Sequence, residues 1–283
     1  MRRLRLVIVL AAVVALSVAA TACESPEDER LRTVKTWAFP LGEGALANVL
    51  RRPGAFDLVV VDGEEVTARQ VRKLRRHGTI VLGYLSVGTI ESYRWWYRAA
   101  SPYRLELWDD WGEWYADVSR RGFRKLIAGR VAPRMLRKGL HGLFLDNTDM
   151  IESHPGRRAG MRALVARLAR IVHRRGKLLF TQNGESSLGP TLRYYDGWNR
   201  EDVSWTYDFE REQYVRVGAA DRAAALAAVR RIAARGLVVT TTDYLPAGRP
   251  HVVSSALRAS CRAGALPYVS DIELSRVPRP LRC

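Results

Sequence analysis

The chain is short of several things that would fix its chemistry at once. Only three cysteines occur in 283 residues, Cys23, Cys261 and Cys283. So few exclude a disulfide-dense scaffold and a multi-thiolate metal centre. The five histidines, His77, His141, His154, His173 and His251, never pair at metal-ligand spacing. No Gly-x-Ser-x-Gly elbow is present, and no glycine-rich phosphate loop follows the first apolar run. Cys261 falls in a helix-like stretch and Cys283 is terminal, so neither reads as a nucleophile. Carboxylates are outnumbered, 29 against 46 Lys and Arg, for a formal charge of +17. Nucleic acid is the usual reading of such an excess. Here the basic residues lie along helix faces of a chain that reads as exported, so no nucleic-acid partner is expected. Anionic lipid, wall polymer or a solvated arginine-rich exterior fit better.

The N-terminus carries the export signal. Arg2, Arg3 and Arg5 precede an apolar stretch from Leu6 to Ala20, too short and badly flanked for a stable membrane span. Two readings of its end stand side by side. Ala20-Thr21-Ala22 fits an ordinary small-x-small cleavage site, and the same residues before Cys23 resemble a lipobox, with Ala20 where Leu is more usual. Lipidation of Cys23 leaves Cys261 and Cys283 as an even pair that an oxidising compartment could join. Residues 1–22 are thus expected to be a signal peptide, 23–33 a charged tether and 34–283 one large domain. The arginines of the signal removed, the remainder is +14. No later segment is long and apolar enough to cross a bilayer.

Eight strand-like runs follow in order, at Val34–Phe39, Phe56–Val61, Thr79–Val87, Gly142–Leu145, Lys177–Thr181, Gly197–Trp205, Leu237–Thr241 and Leu266–Val269. Helix-like stretches stand between them, clearest at Thr67–Arg76, Ala159–Arg174 and Asp221–Ala234. In the second of these, Met161, Leu164, Val165, Leu168 and Val172 recur at three- and four-residue steps. Gly78, Gly139, Gly176 and Gly236 each precede a strand, where a helix C-terminus favours a left-handed residue. Apolar strands alternating with amphipathic helices mean parallel strands buried on both sides. Eight such units in about 250 residues predict a single (β/α)8 TIM barrel. An open doubly wound sheet is the rival, and the missing phosphate loop argues against it. Trp95–Tyr115, with five tryptophans and several tyrosines, reads as an aromatic insertion over the barrel mouth.

Barrel enzymes place their chemistry at the C-terminal ends of the strands. Acids gather there: Asp62, Glu64, Glu65, Glu91, Asp146, Asp149, Glu152, Glu185, Glu201, Asp202, Asp243, Asp271 and Glu273. A basic protein would then have an acidic mouth, and a cleft focuses that field. Two carboxylates can divide the labour of glycoside hydrolysis, one ionised, the other kept protonated by burial or by its neighbour. Asp146 and Glu185, closing the fourth and fifth runs, are the best-placed pair. Each has a bland alternative as a cap or a structural ion pair. Tyr84, Trp198, Trp205, Tyr244 and the tryptophans of 95–114 could stack on sugar faces, although each alone is more often a core residue.

Six segments carry a family resemblance. Gly83-Tyr-Leu-Ser-Val-Gly-Thr-Ile-Glu-Ser-Tyr-Arg94, Gly142-Leu-Phe-Leu-Asp-Asn-Thr-Asp149 and Thr181-Gln-Asn-Gly-Glu185 resemble glycoside hydrolase family 114. So do Gly197-Trp-Asn-Arg-Glu-Asp202, Thr242-Asp-Tyr244 and Pro267-Tyr-Val-Ser-Asp271. They fall in the same order over roughly residues 35–275. The resemblance implies a TIM barrel and an endo-α-1,4-polygalactosaminidase type of activity on a galactosamine-containing polysaccharide. It implies Asp146 and Glu185 as the catalytic carboxylates. Asn147 and Asn183 lie beside them, and Glu201 and Asp243 would bind sugar hydroxyls or amines. Asp62, Tyr84, Trp205, Tyr244 and Asp271 complete the expected substrate contacts. Two departures are Leu145, where the family often has a polar residue, and the Trp95–Tyr115 insertion.

No cofactor or metal is expected, and a monomer tethered to a membrane through Cys23 is. Two other functions compete. A non-catalytic carbohydrate-binding or envelope lipoprotein would keep the barrel without turnover. A metal-dependent hydrolase would lose activity with a chelator.

Overall fold

The computed structural model describes residues 26–248 and 250–283. The signal reading of 1–22 and the lipidation of Cys23 lie outside them. Eight parallel strands form a nearly closed barrel: β1 (Trp37–Ala38), β2 (Leu58–Asp62), β3 (Ile80–Ser86), β4 (Gly142–Asp146), β5 (Leu178–Gln182), β6 (Gly197–Glu201), β7 (Val238–Tyr244) and β8 (Leu266–Ser270). The strands lie side by side in that order. Trp37 Nε1 donates to the Leu266 carbonyl at 2.9 Å across the seam between β1 and β8. Every residue of β3, β4 and β5 is buried, as strands covered on both faces require.

Helices return the chain between strands and place their apolar stripes on the barrel. Met161, Leu164, Val165, Leu168 and Val172 are the buried side of Arg158–His173. Thr67 caps Ala68–Arg76 with a full capping box to Gln70. Gly78, Gly139, Gly176 and Gly236 have φ of 85°, 93°, 59° and 85°. Such values cost a side chain energy and are free to glycine.

Register aims the chemistry. Asp62 pairs with Tyr84, Ser86 with Asp146, Gln182 with Asn199 and Glu201 with Thr242. These residues therefore ring one end of the barrel. Two insertions rise there. One is a three-stranded antiparallel sheet of Thr89–Ile90, Arg104–Trp108 and Glu113–Ala116; the other is a hairpin of Trp205–Asp208 and Gln213–Arg216. Trp111 of the first meets Phe209 of the second, ring centroids 5.3 Å apart.

Two expectations change. The sixth run, read as Gly197–Trp205, is two strands, because Asp202 (φ 55°) turns the chain after Glu201. Part of the expected tether is folded: Pro26–Leu31 is a helix, Leu31 is buried, and Arg30 donates to the Gly78 carbonyl at 2.9 Å. Cys261 and Cys283 form a disulfide with Cα atoms 5.4 Å apart. No described helix is long and apolar enough to cross a membrane.

Candidate active site

A cavity of about 620 Å3 opens at the C-terminal end of the strands. Its lining includes nine carboxylates, from Asp62, Glu65, Glu91, Glu113, Asp146, Asp149, Glu152, Glu201 and Glu273, and no Lys, Arg or His. Trp108, Trp111, Tyr93 and Tyr115 form part of its wall. Trp108 stacks on Tyr115 at 5.4 Å, and Trp111 is 40% exposed, which leaves its ring available to a ligand. Among the described residues no three His, Cys, Asp or Glu side chains converge as a metal set.

Asp146 ends β4 and stands at the centre. Its Oδ2 accepts from Tyr84 Oη at 2.6 Å, and its Oδ1 accepts from Gln182 Nε2 at 2.6 Å and the Asn147 amide at 2.7 Å. Asn147, in the left-handed region (φ 55°), turns its side chain back over the carboxylate and onto Ser86 Oγ at 3.0 Å. Gln182 is fixed in turn, accepting from Asn199 Nδ2 at 3.2 Å. Burial raises the Asp146 pKa, and hydrogen bonds from Tyr84, Gln182 and the Asn147 amide oppose it.

Glu201 ends β6 and faces the same cavity from the far side of β5. Its Oε2 accepts from Asn183 Nδ2 at 2.7 Å, and its Oε1 accepts from Tyr244 Oη. Burial, then the charges of Asp146 and Asp202, push its pKa up to about 8. Of the pair, Asp146 has the richer set of donors, which favours its charged form relative to that of Glu201. Neighbouring strands run ~4.8 Å apart, which sets the two backbones ~10 Å apart with side chains reaching inward.

Glu185, the expected partner of Asp146, does not line this cavity. Asn183 and Gly184 both take positive φ, 53° and 65°, and lead the chain off the end of β5. The Glu185 carboxylate is 29% exposed and pairs with Arg200 Nε at 3.3 Å. The expected substrate contacts divide similarly. Tyr84, Asn147, Asn183, Glu201 and Tyr244 line the cavity. Asp62 lines it too, but its Oδ2 takes Arg94 Nη1 at 2.7 Å and its Oδ1 caps the turn at Glu64 and Glu65. Trp205, Asp243 and Asp271 do not line it. Trp205 lies in the hairpin with Arg216 over its ring. Buried Asp243 accepts the Ser204 and Trp205 amides at 2.6 and 2.9 Å. Asp271 is committed to Ser275 and Arg276.

One acid of the lining, Glu113, escaped the strand-end rule. Glu113 lies in the inserted sheet, where no barrel strand ends; it accepts from Thr89 Oγ1 at 2.6 Å. Burial and the charge of Glu91 push its pKa up to about 7. Asp149 reaches about 7 through burial and the charge of Asp146. Arg94 lies buried behind the wall, bound to Glu91 at 2.5 and 2.8 Å and to Asp62. It neutralises those two acids without entering the lining. The tryptophans of the insertion separate likewise: Trp96 is wholly buried, Trp114 packs under Arg104, and Trp95 lies below Arg134.

Comparison with known proteins agrees with this fold. The glycoside hydrolase domain of PelA from Pseudomonas aeruginosa superposes with a TM-score of 0.72 at 23% identity, over 87% of this chain and 98% of that one. Aspergillus fumigatus Ega3, solved in complex with galactosamine, gives a TM-score of 0.67 at 18% identity over 88% and 95%. At such identities these likenesses speak for the fold. An uncharacterized protein of Deinococcus radiodurans is 28% identical over 268 residues, 87% of this chain and 83% of its own length. The profile of Glycoside-hydrolase family GH114 matches residues 17–280, and the chain belongs to that family.

Proposed function

We propose that this glycoside hydrolase cuts a polysaccharide containing galactosamine with free amino groups, using Asp146 and Glu201. One observation carries the reading: two buried carboxyls, on strands either side of β5, face one cavity, with Asp146 under the larger set of hydrogen-bond donors. Glu201 in its acid form donates to the glycosidic oxygen as the bond breaks. Asp146 presents negative charge to the anomeric carbon, where positive charge develops. Tyr84, Gln182 and the Asn147 amide hold that carboxylate in place.

The lining favours an amino sugar. Nine acids line the cavity with no cation in the lining, and although Arg94 offsets Asp62 and Glu91 from behind and burial holds protons on others, the remaining negative charge disfavours a uronic acid and attracts an ammonium. The formal +17 of the chain opposes a cationic polymer at long range. Salt limits that repulsion to about 10 Å at 0.1 M. The solved complex of Ega3 with galactosamine supports the same sugar class. Export, with lipid attached at Cys23, rests on the apolar N-terminal segment and the small residues before that cysteine.

The test is release of reducing ends from an α-1,4-linked galactosamine polymer, before and after N-acetylation. Wild-type chain should cut the free-amine form and leave the acetylated form largely intact. Equal cutting of both would overturn the amine reading, and failure on both would overturn the substrate class.

A further inference from the structure

Opposite the catalytic mouth the charge reverses. The helix Ala68–Arg76 carries Arg69, Arg72, Lys73, Arg75 and Arg76 in nine residues and no acid. It runs antiparallel to the strands, so its last turn lies at the N-terminal end of the barrel, just before β3. Its buried side is Val71 and Leu74, and Arg72, Lys73, Arg75 and Arg76 are exposed. Arg72, Arg75 and Arg76 meet Arg30 around an open groove of about 300 Å3 that has no other lining residue. The ion pairs among the described residues include none of Arg72, Arg75 and Arg76.

The helix dipole accounts for a cation or two in a last turn. It does not account for four guanidinium groups around one groove: Arg75 and Arg30 each give one donor to a carbonyl, of Gly139 and Gly78, and the four like charges still repel each other unless an anion lies between them. The rest of this end is also basic. Arg51 and Arg52, Arg174 and Arg175, and Arg231 and Arg235 stand exposed at the ends of three other helices. Nearby His141, buried beneath Arg75 and Arg30, has its pKa lowered to about 3 by burial and by the charges of Arg75, Arg30 and Lys177. The chain also enters the barrel here: Arg30 belongs to Pro26–Leu31, the segment that leads into β1. A surface holding the chain upstream of residue 26 would meet this face first.

We infer that the arginine groove and the basic end around it dock on an anionic phospholipid surface, with phosphate headgroups between the guanidinium groups. The acidic mouth then points away from the membrane, toward polymer arriving from outside. Planar guanidinium groups match phosphate oxygens in pairs, which an ammonium cannot do. The inference is independent of which carboxylates perform hydrolysis.

The experiment is co-sedimentation of the full chain with phosphatidylcholine vesicles, with and without phosphatidylglycerol, for wild type, R72Q/R76Q and R72K/R76K. Neither position belongs to the catalytic cavity. Phosphatidylglycerol should strengthen binding, and R72Q/R76Q should weaken that gain by roughly 30-fold, two charges at about 1 kcal/mol each. R72K/R76K keeps the charge but not the paired phosphate contacts and should bind between the other two, and all three proteins should cut a soluble substrate equally. Equal binding to both vesicle types, or an unchanged R72Q/R76Q, would overturn the inference. So would displacement by inorganic phosphate at matched ionic strength, or a preference for duplex DNA over the anionic vesicles.

Discussion

Tyr84 Oη donates to Asp146 Oδ2 at 2.6 Å, inside the barrel and between adjacent strands. A buried hydrogen bond to a charged acceptor is worth about 1.5–3 kcal/mol. Tyr84→Phe should therefore lower kcat/KM by about 10- to 100-fold while the barrel stays folded. The loss of a donor raises the Asp146 pKa, so the acid limb of the pH profile should move to higher pH. A pH–rate series on the two proteins checks both effects.

Glu201 must be protonated to act as an acid. Its pKa is pushed up to about 8, so activity should hold through neutrality and fall as pH rises through that value. Glu201→Gln should remove the basic limb and cost about 10²- to 10⁴-fold with the polymer. An aryl glycoside with a good leaving group, which needs little proton donation, should lose far less. An unchanged basic limb in Glu201→Gln would assign that limb elsewhere.

Glu113 has a sharper consequence for stability than for turnover. Its pKa in the folded chain is about 7 against an ordinary 4.5, so the folded state holds a proton that the unfolded state releases. Folding stability should fall as pH rises across that window. Glu113→Gln removes the penalty and can still accept from Thr89. Its Tm should exceed that of the wild type by a few degrees at pH 8, on the order of 1–2 kcal/mol, and match it at pH 4. Calorimetry at the two pH values decides.

The disulfide between Cys261 and Cys283 closes a loop of sequence separation 22 and fastens the C-terminus to the helix Pro250–Arg262. Loops of that size contribute roughly 3 kcal/mol. Cys261→Ser with Cys283→Ser should lower Tm by several degrees and leave kcat unchanged, because neither residue approaches the cavity.

The barrel was legible because its strands are apolar runs that stop at polar residues, four of them preceded by Gly78, Gly139, Gly176 and Gly236 at a helix end. Burial on both faces leaves little freedom in composition, so Gly142–Asp146 and Leu178–Gln182 fall within a residue of their expected bounds. The place of Asp146 in the cavity lining was legible because an apolar run that stops at an acid marks the C-terminal end of a barrel strand. Glu185 was expected at the cavity and does not line it, because the count along the sequence cannot see Asn183 and Gly184 turning with positive φ. Glu201 was read among the strand-end acids, and the resemblance gave it a sugar-binding role, with the catalytic pair drawn from the fourth and fifth runs. The turn at Asp202 makes Glu201 a strand end. Glu113 left no sequence signal, since an inserted antiparallel sheet follows none of the barrel's spacing.

The central claim is that the acid paired with Asp146 lies on β6 and not in the loop after β5. The direct measurement is the rate of galactosamine-polymer cleavage by Glu201→Gln and Glu185→Gln, each folded by circular dichroism. Glu201→Gln should lose at least about 100-fold. Glu185→Gln should stay within a few-fold of wild type, because its partly exposed pair with Arg200 is worth at most about 1 kcal/mol. The reverse pattern, an active Glu201→Gln and an inactive Glu185→Gln, would contradict the account.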